Sequence, residues 1–484
     1  MLKEVIKEDV LKFPLRITGA QAGSTMQVKS PFDGRLIAEV ELADENAINR
    51  ALDISCRAFT EVMKKMPAYK RAEILAKTAE ILGQRKDEFA ETIALEGGKP
   101  IKDARTEVLR AINTFSIASR EALNISGEQI PMDLLAGNDN RLGIVLREPV
   151  GVIAAITPFN FPLNLVAHKL APALAAGNTV VLKPASSTPV ASFKLAQALK
   201  DAGLPDGVLQ IVPCRGAQGN ALVKDKRVAL VSFTGSPEVG WKMRGEVHAG
   251  TRIALELGGN AALIVHEDAD LEAAAAASCR GGYGHAGQTC ISVQRVYVQK
   301  NIYDKFVKIY KDKVGALKVG DPLDDTTDMG PMIDASAVKK TEEMVADAVK
   351  SGARVICGGE AAKANLLKPV ILENATHQMT VVCQEVFGPV TALMKYDTID
   401  DAISAVNDSD FGLQAGVFTK NVDIAFKAAR GIDVGGVIVN DAPTYRADHM
   451  PYGGRKESGA GLEGVKYAIH EMTQPKFICL NLAP

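Results

Sequence analysis

The first third of the chain carries apolar residues at the three- and four-residue spacing typical of amphipathic helices. This spacing predicts helical structure over residues 44–96, with a break near Pro67, and a further helix over residues 101–123. A glycine pair beginning at Gly97 closes the longer run, as glycine commonly does after a helix. Ahead of the helices, residues 31–41 are predicted to form a turn and a short strand. We interpret this helical layer as structural, because no obvious chemistry accompanies it.

Beyond residue 128 the helical spacing gives way to short apolar runs. Residues 129–149 show an extended pattern with a polar tip at residues 137–140, which suggests a hairpin-like excursion. Short apolar strands then alternate with longer helices, which predicts the doubly wound parallel sheet of an α/β protein. The strands are predicted over residues 150–156, 179–182, 208–212 and 228–233, with helices beginning near Leu163, Thr188, Ala217 and Pro237. Such sheets bind ligands outside the carboxyl ends of their strands, so the residues after each strand matter most.

A second αβ region is predicted from Arg252 onward. Its strands are expected over residues 252–257, 262–265 and 295–298, and its helices over residues 271–280 and 302–317. A last strand-like segment, residues 476–482, has no partner nearby in the sequence. Because unpaired strands promote aggregation, we expect this segment and the hairpin-like excursion to be covered by other strands.

Composition and charge narrow the class of protein without identifying it. The 484 residues carry a net charge of −2, with no basic stripe for nucleic acid and no run of eighteen apolar residues for a membrane span. The charged N-terminus lacks the apolar core of a signal peptide. Seven scattered cysteines without a C-x-x-C pair argue for reduced thiols and against a zinc site or a disulfide framework. We therefore expect a cytoplasmic protein with no metal ion, nucleic acid or membrane partner.

One cysteine lies in a setting that suits chemistry. Cys290 follows the glycine-rich run Gly281-Gly-Tyr-Gly-His-Ala-Gly287 and precedes a predicted strand. Glycines permit close backbone approaches, so this thiol is a candidate nucleophile, although a lone cysteine is usually a small buried apolar residue. Glu256 ends an apolar strand before a glycine pair, where desolvation would raise its pKa and poise it as a general base. Glu385 is a second carboxylate in a turn-rich apolar segment.

Polar residues also follow three of the predicted strands. They include the amide of Asn160, the ammonium group of Lys183, and the pair Gly235-Ser236 at the start of a helix. These groups would suit a polyanionic ligand, since backbone N–H groups at a helix start bind phosphate. The G-x-G-x-x-G fingerprint of dinucleotide-binding proteins is absent, and ordinary turn and cap residues remain the alternative for each motif taken singly.

Eight short motifs in a fixed order identify the chain more specifically. They are Thr157-Pro-Phe-Asn-Phe-Pro162, Ala171-Pro-Ala-Leu-Ala-Ala-Gly-Asn178, Lys183-Pro184, Phe233-Thr-Gly-Ser236, Leu255-Glu-Leu-Gly-Gly259, Gly287-Gln-Thr-Cys290, Glu385-Val-Phe-Gly-Pro389 and Pro451-Tyr-Gly-Gly454. With these motifs the chain resembles the aldehyde dehydrogenase superfamily over essentially its whole length. Within it, the chain looks most like the lactaldehyde, succinate-semialdehyde and non-phosphorylating glyceraldehyde-3-phosphate dehydrogenases.

The resemblance implies a particular domain organisation. A Rossmann-like nucleotide-binding domain would comprise residues 1–128 and 150–257, and an α/β catalytic domain residues 258–455. Residues 129–149 and 470–484 would form a small β oligomerisation arm. We therefore expect a homodimer or a homotetramer.

The resemblance also implies a reaction. Cys290 would attack the aldehyde, and the Asn160 amide and the Cys290 backbone N–H would bind the resulting oxyanion. After hydride transfer leaves a thioester, Glu256 would activate water to release the carboxylic acid. Lys169 and Glu463 match positions close to that general base.

The cofactor implied by the resemblance is NAD(P). Lys183 would hold the adenosine ribose, Ser236 the pyrophosphate and Glu385 the nicotinamide ribose, with Phe387 packing nearby. The other residues expected to line this site are Thr157, Phe159, Gly235 and Gly258. Many NAD-preferring members carry glutamate where this chain has Ser186, and a serine would not repel a 2′-phosphate. We therefore expect the protein to accept NADP and to favour NADP over NAD.

Three basic side chains, Arg110, His168 and Arg446, match positions that line the aldehyde pocket of the family. They predict a short polar or anionic aldehyde as the substrate. Candidates are a semialdehyde, a 2-hydroxyaldehyde, or an aldehyde that bears a phosphonate, phosphate or sulfonate group. The alternative for these side chains is ordinary helix or loop surface.

Three other functions compete with this interpretation. A coenzyme-A-acylating relative would use the same cysteine but typically lacks a base at Glu256, which is present here. A cysteine hydrolase would pair His285 with Cys290, but the two are too close in the sequence to indicate a dyad. A catalytically silent paralogue is the non-enzyme alternative, and the intact cysteine and glutamate argue against it.

Overall fold

The computed structural model describes residues 10–360 and 364–482. The outer ends of the predicted nucleotide-binding domain and arm, residues 1–9 and 483–484, lie outside the described residues. Within the described residues, no helix is long and apolar enough to cross a membrane. The same residues contain no group of three or more His, Cys, Asp or Glu side chains arranged to hold a metal ion.

The N-terminal part forms a small sheet followed by four helices. Its elements are β1 (Leu11–Phe13), β2 (Ser24–Lys29), β3 (Leu36–Leu42), α1 (Glu45–Glu61), α2 (Ala68–Gln84), α3 (Lys86–Gly97) and α4 (Ile101–Glu121). The predicted strand and helical layer are confirmed, but a second break lies at Arg85, between α2 and α3. The apolar pattern does not reveal this break because Leu82 and Phe89, on its two sides, pack into the same core.

Two strands of the hairpin, β4 (Glu128–Ile130) and β5 (Arg141–Pro149), precede a six-stranded sheet flanked by helices. The elements of this sheet and its helices up to Glu256 are β6 (Val152–Ile156), α5 (Asn164–Ala176), β7 (Thr179–Lys183), α6 (Val190–Asp201), β8 (Leu209–Ile211), α7 (Gly216–Lys224), β9 (Val228–Thr234), α8 (Pro237–Glu246) and β10 (Arg252–Glu256). Strands β8-β7-β6-β9-β10 lie side by side and are parallel. The order reverses between β6 and β9, so the predicted doubly wound sheet is confirmed. The assignment of residues 252–257 to the second region was wrong, because β10 pairs with β9.

A seven-stranded sheet forms the next layer. Its elements and the short strand beside it are β11 (Ala261–Val265), α9 (Leu271–Tyr283), β12 (Val293–Gln299), α10 (Tyr303–Gly315), α11 (Ala335–Lys350), β13 (Arg354–Cys357), β14 (Val370–Glu373), α12 (Thr380–Cys383), β15 (Val390–Tyr396), α13 (Ile399–Asn407), β16 (Phe411–Gly412), β17 (Gln414–Phe418), α14 (Val422–Gly431) and β18 (Gly436–Val439). The sheet order is β13-β14-β15-β12-β11-β17-β18, and only β13 runs antiparallel to its neighbour. Strands β11 and β12 and helices α9 and α10 confirm the prediction for this region.

The C-terminal part returns to the first sheet and to the hairpin. Its elements are β19 (Arg455–Lys456), β20 (Gly459–Ala460), α15 (Val465–Glu471) and β21 (Thr473–Asn481). Strand β20 pairs with β10, where Gly459 lies opposite Glu256. Strand β21 pairs antiparallel with β5 over its whole length, and β5 pairs with β4. The two segments without local partners therefore cover each other, as expected, although β21 begins before the predicted residue 476.

Two buried glutamates of the helical layer cap helices of the first sheet. The carboxylate of Glu107 on α4 accepts backbone N–H bonds from Leu163 at 2.9 Å and Asn164 at 3.1 Å, at the start of α5. Glu96 on α3 accepts two such bonds at the start of α6. Neither helix has a side-chain cap of its own at the preceding residue. The helical layer thus satisfies helix ends that the local sequence leaves open.

Candidate active site

Cys290 lies between α9 and β12, just after a turn with left-handed backbone angles. His285 and Ala286 adopt left-handed backbone angles, with φ of 50° and 55°. Gly287 has φ of +70°, and a Cβ there would lie 2.1 Å from the Gly388 carbonyl oxygen. A Cβ on Gly259 would lie 2.1 Å from the Cys290 carbonyl oxygen. The glycines in these motifs therefore allow the close backbone contacts that place the thiol.

The Cys290 sulfur is enclosed although the residue is partly exposed. Burial raises the pKa of the thiol to about 12, against the lowering effects of a hydrogen bond from Tyr452 and the charge of Arg446. Sγ and the Tyr452 Oη are 3.0 Å apart. His285 lies buried with no hydrogen bond to either ring nitrogen among the described residues, and burial lowers its pKa. The structure therefore shows no Cys–His dyad of a cysteine hydrolase.

Two buried carboxylates with opposite protonation preferences lie near the thiol. Burial, and then the charge of Glu463, raise the pKa of Glu256 well above its usual range. Burial acts in the same direction on Glu463, but Lys169 and Arg446 outweigh it and lower the pKa of that carboxyl. Lys169 Nζ lies 3.2 Å from Glu463 Oε1, and Arg446 Nη2 lies 2.8 Å from Oε2. Glu256 therefore favours its neutral form, while Glu463 favours its ionised form.

Asp448 forms hydrogen bonds with both Arg110 and His168, two of the three predicted substrate residues. Its carboxylate accepts hydrogen bonds from Arg110 Nη2 at 2.9 Å and His168 Nε2 at 3.0 Å, and Asn113 and Asn164 contribute further amide contacts. Burial, and then the charge of Arg446, lower the pKa of His168. This shift favours the neutral imidazole of His168, and its role in substrate binding stays a prediction.

Arg446 connects the Asp448 loop with the thiol. Its guanidinium is ion-paired with Glu463 and lies 3.6 Å from the centroid of the Tyr452 ring. The side chain is 6% exposed, and Nε has no hydrogen-bond partner within the described part of the chain. Arg446 therefore retains an unused donor inside the site.

Asn160 lies before α5, within reach of the turn that carries Cys290. Its Nδ2 donates to the Gln288 carbonyl oxygen at 2.9 Å, and its buried Oδ1 has no partner among the described residues. The Cys290 backbone N–H likewise makes no hydrogen bond in the described ranges. The free backbone donor and the second N–H of the Asn160 amide are therefore both available to an oxyanion.

The crevice between β6 and β9 offers unpaired positive charge. Lys183 ends β7, burial lowers its pKa, and its ammonium group has no carboxylate or hydrogen-bond partner in the described residues. A Cβ on Gly219 would lie 3.1 Å from Lys183 Cε, so this glycine leaves room for the lysine chain. Ser186 is exposed nearby in the sequence. Ser236 precedes α8 without capping it, which leaves the first N–H groups of that helix free.

The far end of the crevice is tightly packed. A Cβ on Gly258 would lie 2.5 Å from Glu385 Oε2, and Glu385 Oε1 accepts a bond from the Gly259 N–H at 2.9 Å. Burial raises the pKa of Glu385 to about 7. The Phe159 and Phe387 rings meet edge to face at 5.8 Å. A buried unpaired ammonium group, an uncapped helix start and a carboxylate held by backbone N–H fit a dinucleotide.

Comparison with known proteins agrees with this architecture. The model of the aldehyde dehydrogenase family matches residues 17–478. The chain belongs to this family. A 3-sulfolactaldehyde dehydrogenase of Priestia aryabhattai is 50% identical over 459 residues, which are 94% of this chain and 95% of that one.

Solved structures of family members superpose closely. Aldehyde dehydrogenase 21 of Physcomitrella patens, in complex with the reaction product succinate, has a TM-score of 0.94 at 38% identity, covering 98% of this chain and 99% of the other. The glyceraldehyde-3-phosphate dehydrogenase of Methanocaldococcus jannaschii, complexed with NADP, has a TM-score of 0.90 at 38% identity, covering 94% and 99%. The predicted family, its fold and the assignment as an NAD(P)-dependent aldehyde dehydrogenase are confirmed.

Several groups of this site were not singled out from the sequence. Asp448 and Tyr452 lie shortly after Arg446 in the chain, and Glu107 lies in the helical layer that the sequence analysis interprets as structural. Of these, only Tyr452 left a signal, because it occupies the second position of the Pro451-Tyr-Gly-Gly454 motif.

Proposed function

We propose that this aldehyde dehydrogenase oxidises a short aldehyde that carries an anionic group at its far end. The proposal rests on the net charge of the ionisable side chains that are grouped near the Cys290 thiol. Lys169, Arg110 and Arg446 supply three positive charges, and the ionised Asp448 and Glu463 supply two negative ones. Because Glu256 favours its neutral form, the cluster keeps one uncompensated positive charge for an anionic substrate.

The relatives support an anionic aldehyde of this kind. One is named for 3-sulfolactaldehyde, one structure holds succinate, and another is a glyceraldehyde-3-phosphate dehydrogenase. We propose 3-sulfolactaldehyde as the first candidate substrate. The test is kcat/KM, measured at 340 nm, for sulfolactaldehyde, succinate semialdehyde, glyceraldehyde 3-phosphate and phosphonoacetaldehyde against neutral lactaldehyde. An anionic group bound by a charged donor should raise kcat/KM about 10- to 100-fold, and equal values for lactaldehyde would contradict the proposal.

Replacing Arg446 with methionine is expected to raise KM for the preferred anionic aldehyde about 10- to 100-fold, because the charged donor to its anionic group is lost. The KM for lactaldehyde should change much less. Measuring both substrates with one preparation separates this role from the support that Arg446 gives to Glu463. Arg455→Met, which removes an exposed arginine paired with Asp433, is the matched control. Equal changes for both aldehydes would show that Arg446 does not bind the anionic group.

In the proposed reaction the Cys290 thiolate forms a bond to the aldehyde carbon. The developing oxyanion accepts hydrogen bonds from the free Cys290 backbone N–H and from the second N–H of the Asn160 amide. The nicotinamide cofactor, when bound, supplies the acceptor for the hydride that leaves this carbon. The chain retains a thioester on Cys290. Glu256 takes a proton from the water that attacks the thioester carbon, and the C–S bond breaks to release the carboxylic acid and the Cys290 thiolate. Lys169 and Arg446 hold Glu463 ionised. The negative charge of Glu463 raises the pKa of Glu256, which favours the transfer of that proton to Glu256.

We also propose that the enzyme prefers NADP. Lys183 and the free N–H groups at the start of α8 would hold phosphate groups of the cofactor, and Glu385 and Phe387 would hold its nicotinamide end. Thr157, Phe159, Gly235 and Gly258 would line the path between these ends. Ser186 lacks the negative charge that would repel a 2′-phosphate.

Ser186→Glu is expected to lower kcat/KM for NADP about 10- to 100-fold while changing the value for NAD much less. The cause is repulsion between the new carboxylate and the 2′-phosphate, for which a like-charge contact costs about 1–3 kcal/mol. The matched control is Ser187→Glu, which places the same charge on the next exposed residue. A much higher kcat/KM for NAD than for NADP in the wild-type enzyme would contradict the proposal.

Exposed apolar side chains on two strands support an oligomer. We propose a homodimer or homotetramer, because Phe477 and Leu480 on β21 are 52% and 44% exposed, and Val439 on the edge strand β18 is 43% exposed. We also propose the domain limits expected from the sequence, and the separation of the two large sheets and the β4-β5-β21 sheet supports them. The seven free cysteines support a cytoplasmic location. Light scattering on the purified protein tests the assembly, and a monomeric mass would contradict it.

A further inference from the structure

The Cys290 thiol has one hydrogen-bond partner among the described residues, the hydroxyl of Tyr452, with Sγ and Oη 3.0 Å apart. Tyr452 is 4% exposed and packs against Ile291 and Leu413 beside the thiol. The two residues are 162 positions apart in the chain. The contact is therefore a product of the fold and lies inside the site.

Contacts on the backbone and on the ring hold Tyr452 in position. Its backbone N–H donates to the Glu463 carbonyl oxygen at 3.1 Å, and the Glu463 N–H donates back at 2.6 Å. The Arg446 guanidinium lies over the face of the ring. A cation in that place withdraws electron density from the aromatic system, which makes the phenolic O–H a stronger donor.

We propose that Tyr452 is a further catalytic residue, whose hydroxyl donates a hydrogen bond to the Cys290 thiolate and stabilises that thiolate. The proposal rests on the proposed function only in taking Cys290 as the nucleophile. The thiol proton leaves to water and Tyr452 keeps its own, so no proton passes between the two residues.

The surrounding charges explain why such a donor is needed. Burial, followed by the neighbouring Glu385 and Glu256, opposes a negative charge on Cys290, and the Tyr452 hydrogen bond and Arg446 oppose that effect. Burial also raises the pKa of Tyr452 well above its usual range, so the phenol remains a donor throughout the working pH range. The other nearby candidate, His285, makes no hydrogen bond to the sulfur.

The test is the pH dependence of Cys290 alkylation by iodoacetamide in wild type and Tyr452→Phe. Alkylation joins the sulfur to the acetamide carbon with loss of iodide, and needs neither aldehyde nor cofactor. The extent is read on the tryptic peptide of residues 281–295, which contains no other cysteine. Loss of a donor to a charged group should raise the midpoint of the pH profile by about one to two pH units, which lowers the alkylation rate at each pH below the midpoint about 10- to 100-fold.

A second variant separates hydrogen bonding from a change in packing. Incorporating 3-fluorotyrosine at position 452 keeps the ring in place and gives a more acidic phenol, so the midpoint should move downward. Opposite shifts in the two variants would support the proposal. An unchanged midpoint in either correctly folded variant, checked by thermal unfolding, would overturn it. A wrong substrate assignment would leave these alkylation profiles untouched, so the two failures are distinguishable.

Discussion

Replacing Cys290 with alanine is expected to abolish aldehyde oxidation, lowering kcat by about four orders of magnitude or more. Without the sulfur no covalent adduct forms, and the oxyanion donors have no tetrahedral intermediate to bind. The small side chain fits the turn, since the backbone contacts of Gly259 and Gly287 do not involve the thiol. The measurement is steady-state formation of reduced cofactor with the preferred aldehyde.

The control for this variant is Cys56→Ala, which removes a partly buried thiol from the outer helix α1. It should keep full activity, and both variants should unfold at temperatures close to that of the wild type. Cofactor binding, followed by fluorescence, should also be unchanged in Cys290→Ala. Substantial oxidation by Cys290→Ala would exclude the thiol as the nucleophile.

Replacing Glu256 with glutamine is expected to stop the reaction after hydride transfer. Hydrolysis of the thioester on Cys290 then proceeds without a general base, so steady-state turnover should fall about 10²–10⁴-fold. Reduced cofactor should still appear in a rapid burst close to one equivalent per active site. In the wild type, the hydrolytic step should accelerate as pH rises through the raised pKa of Glu256, because only the ionised carboxylate accepts a proton.

Stopped-flow absorbance at 340 nm measures the burst, and mass spectrometry of the acid-quenched protein locates the acyl group on the peptide of residues 281–295. Glu457→Gln, which neutralises an exposed glutamate just before β20, the strand paired with β10, is the control. A variant that neither accumulates the acyl adduct nor slows in the steady state would exclude Glu256 as the base. A variant with no burst would indicate a role before hydride transfer.

Much of the fold was predictable because its causes are local. The strands β6, β7, β8 and β9 are short apolar runs, separated by helices with their own periodicity, and such runs specify a parallel sheet with little help from distant residues. The break at Arg85 was missed because apolar residues on both sides of it serve one core. The place of β10 was missed because a strand pattern does not say which sheet the strand joins.

The site was predictable only where its residues carry a motif. Cys290, Glu256 and Asn160 lie in glycine- and proline-containing segments whose backbone geometry constrains their residue types. Asp448 lies in a loop without such constraints, and its partner His168 is 280 positions away. Glu107 caps α5 from another helix, and nothing in either helix alone indicates the pairing.

The glycine-rich turn, the strand ends and the family of the enzyme were therefore determined by the sequence itself, because each depends on residues that are neighbours in the chain. The protonation of the site was decided by the tertiary structure. Folding buries Glu256 beside Glu463 and brings Lys169 and Arg446 against the latter, and this arrangement raises one carboxyl pKa and lowers the other. It also places the Tyr452 hydroxyl against the thiol. Electrostatic effects of this kind depend on distance and burial, and both exist only after the chain has folded.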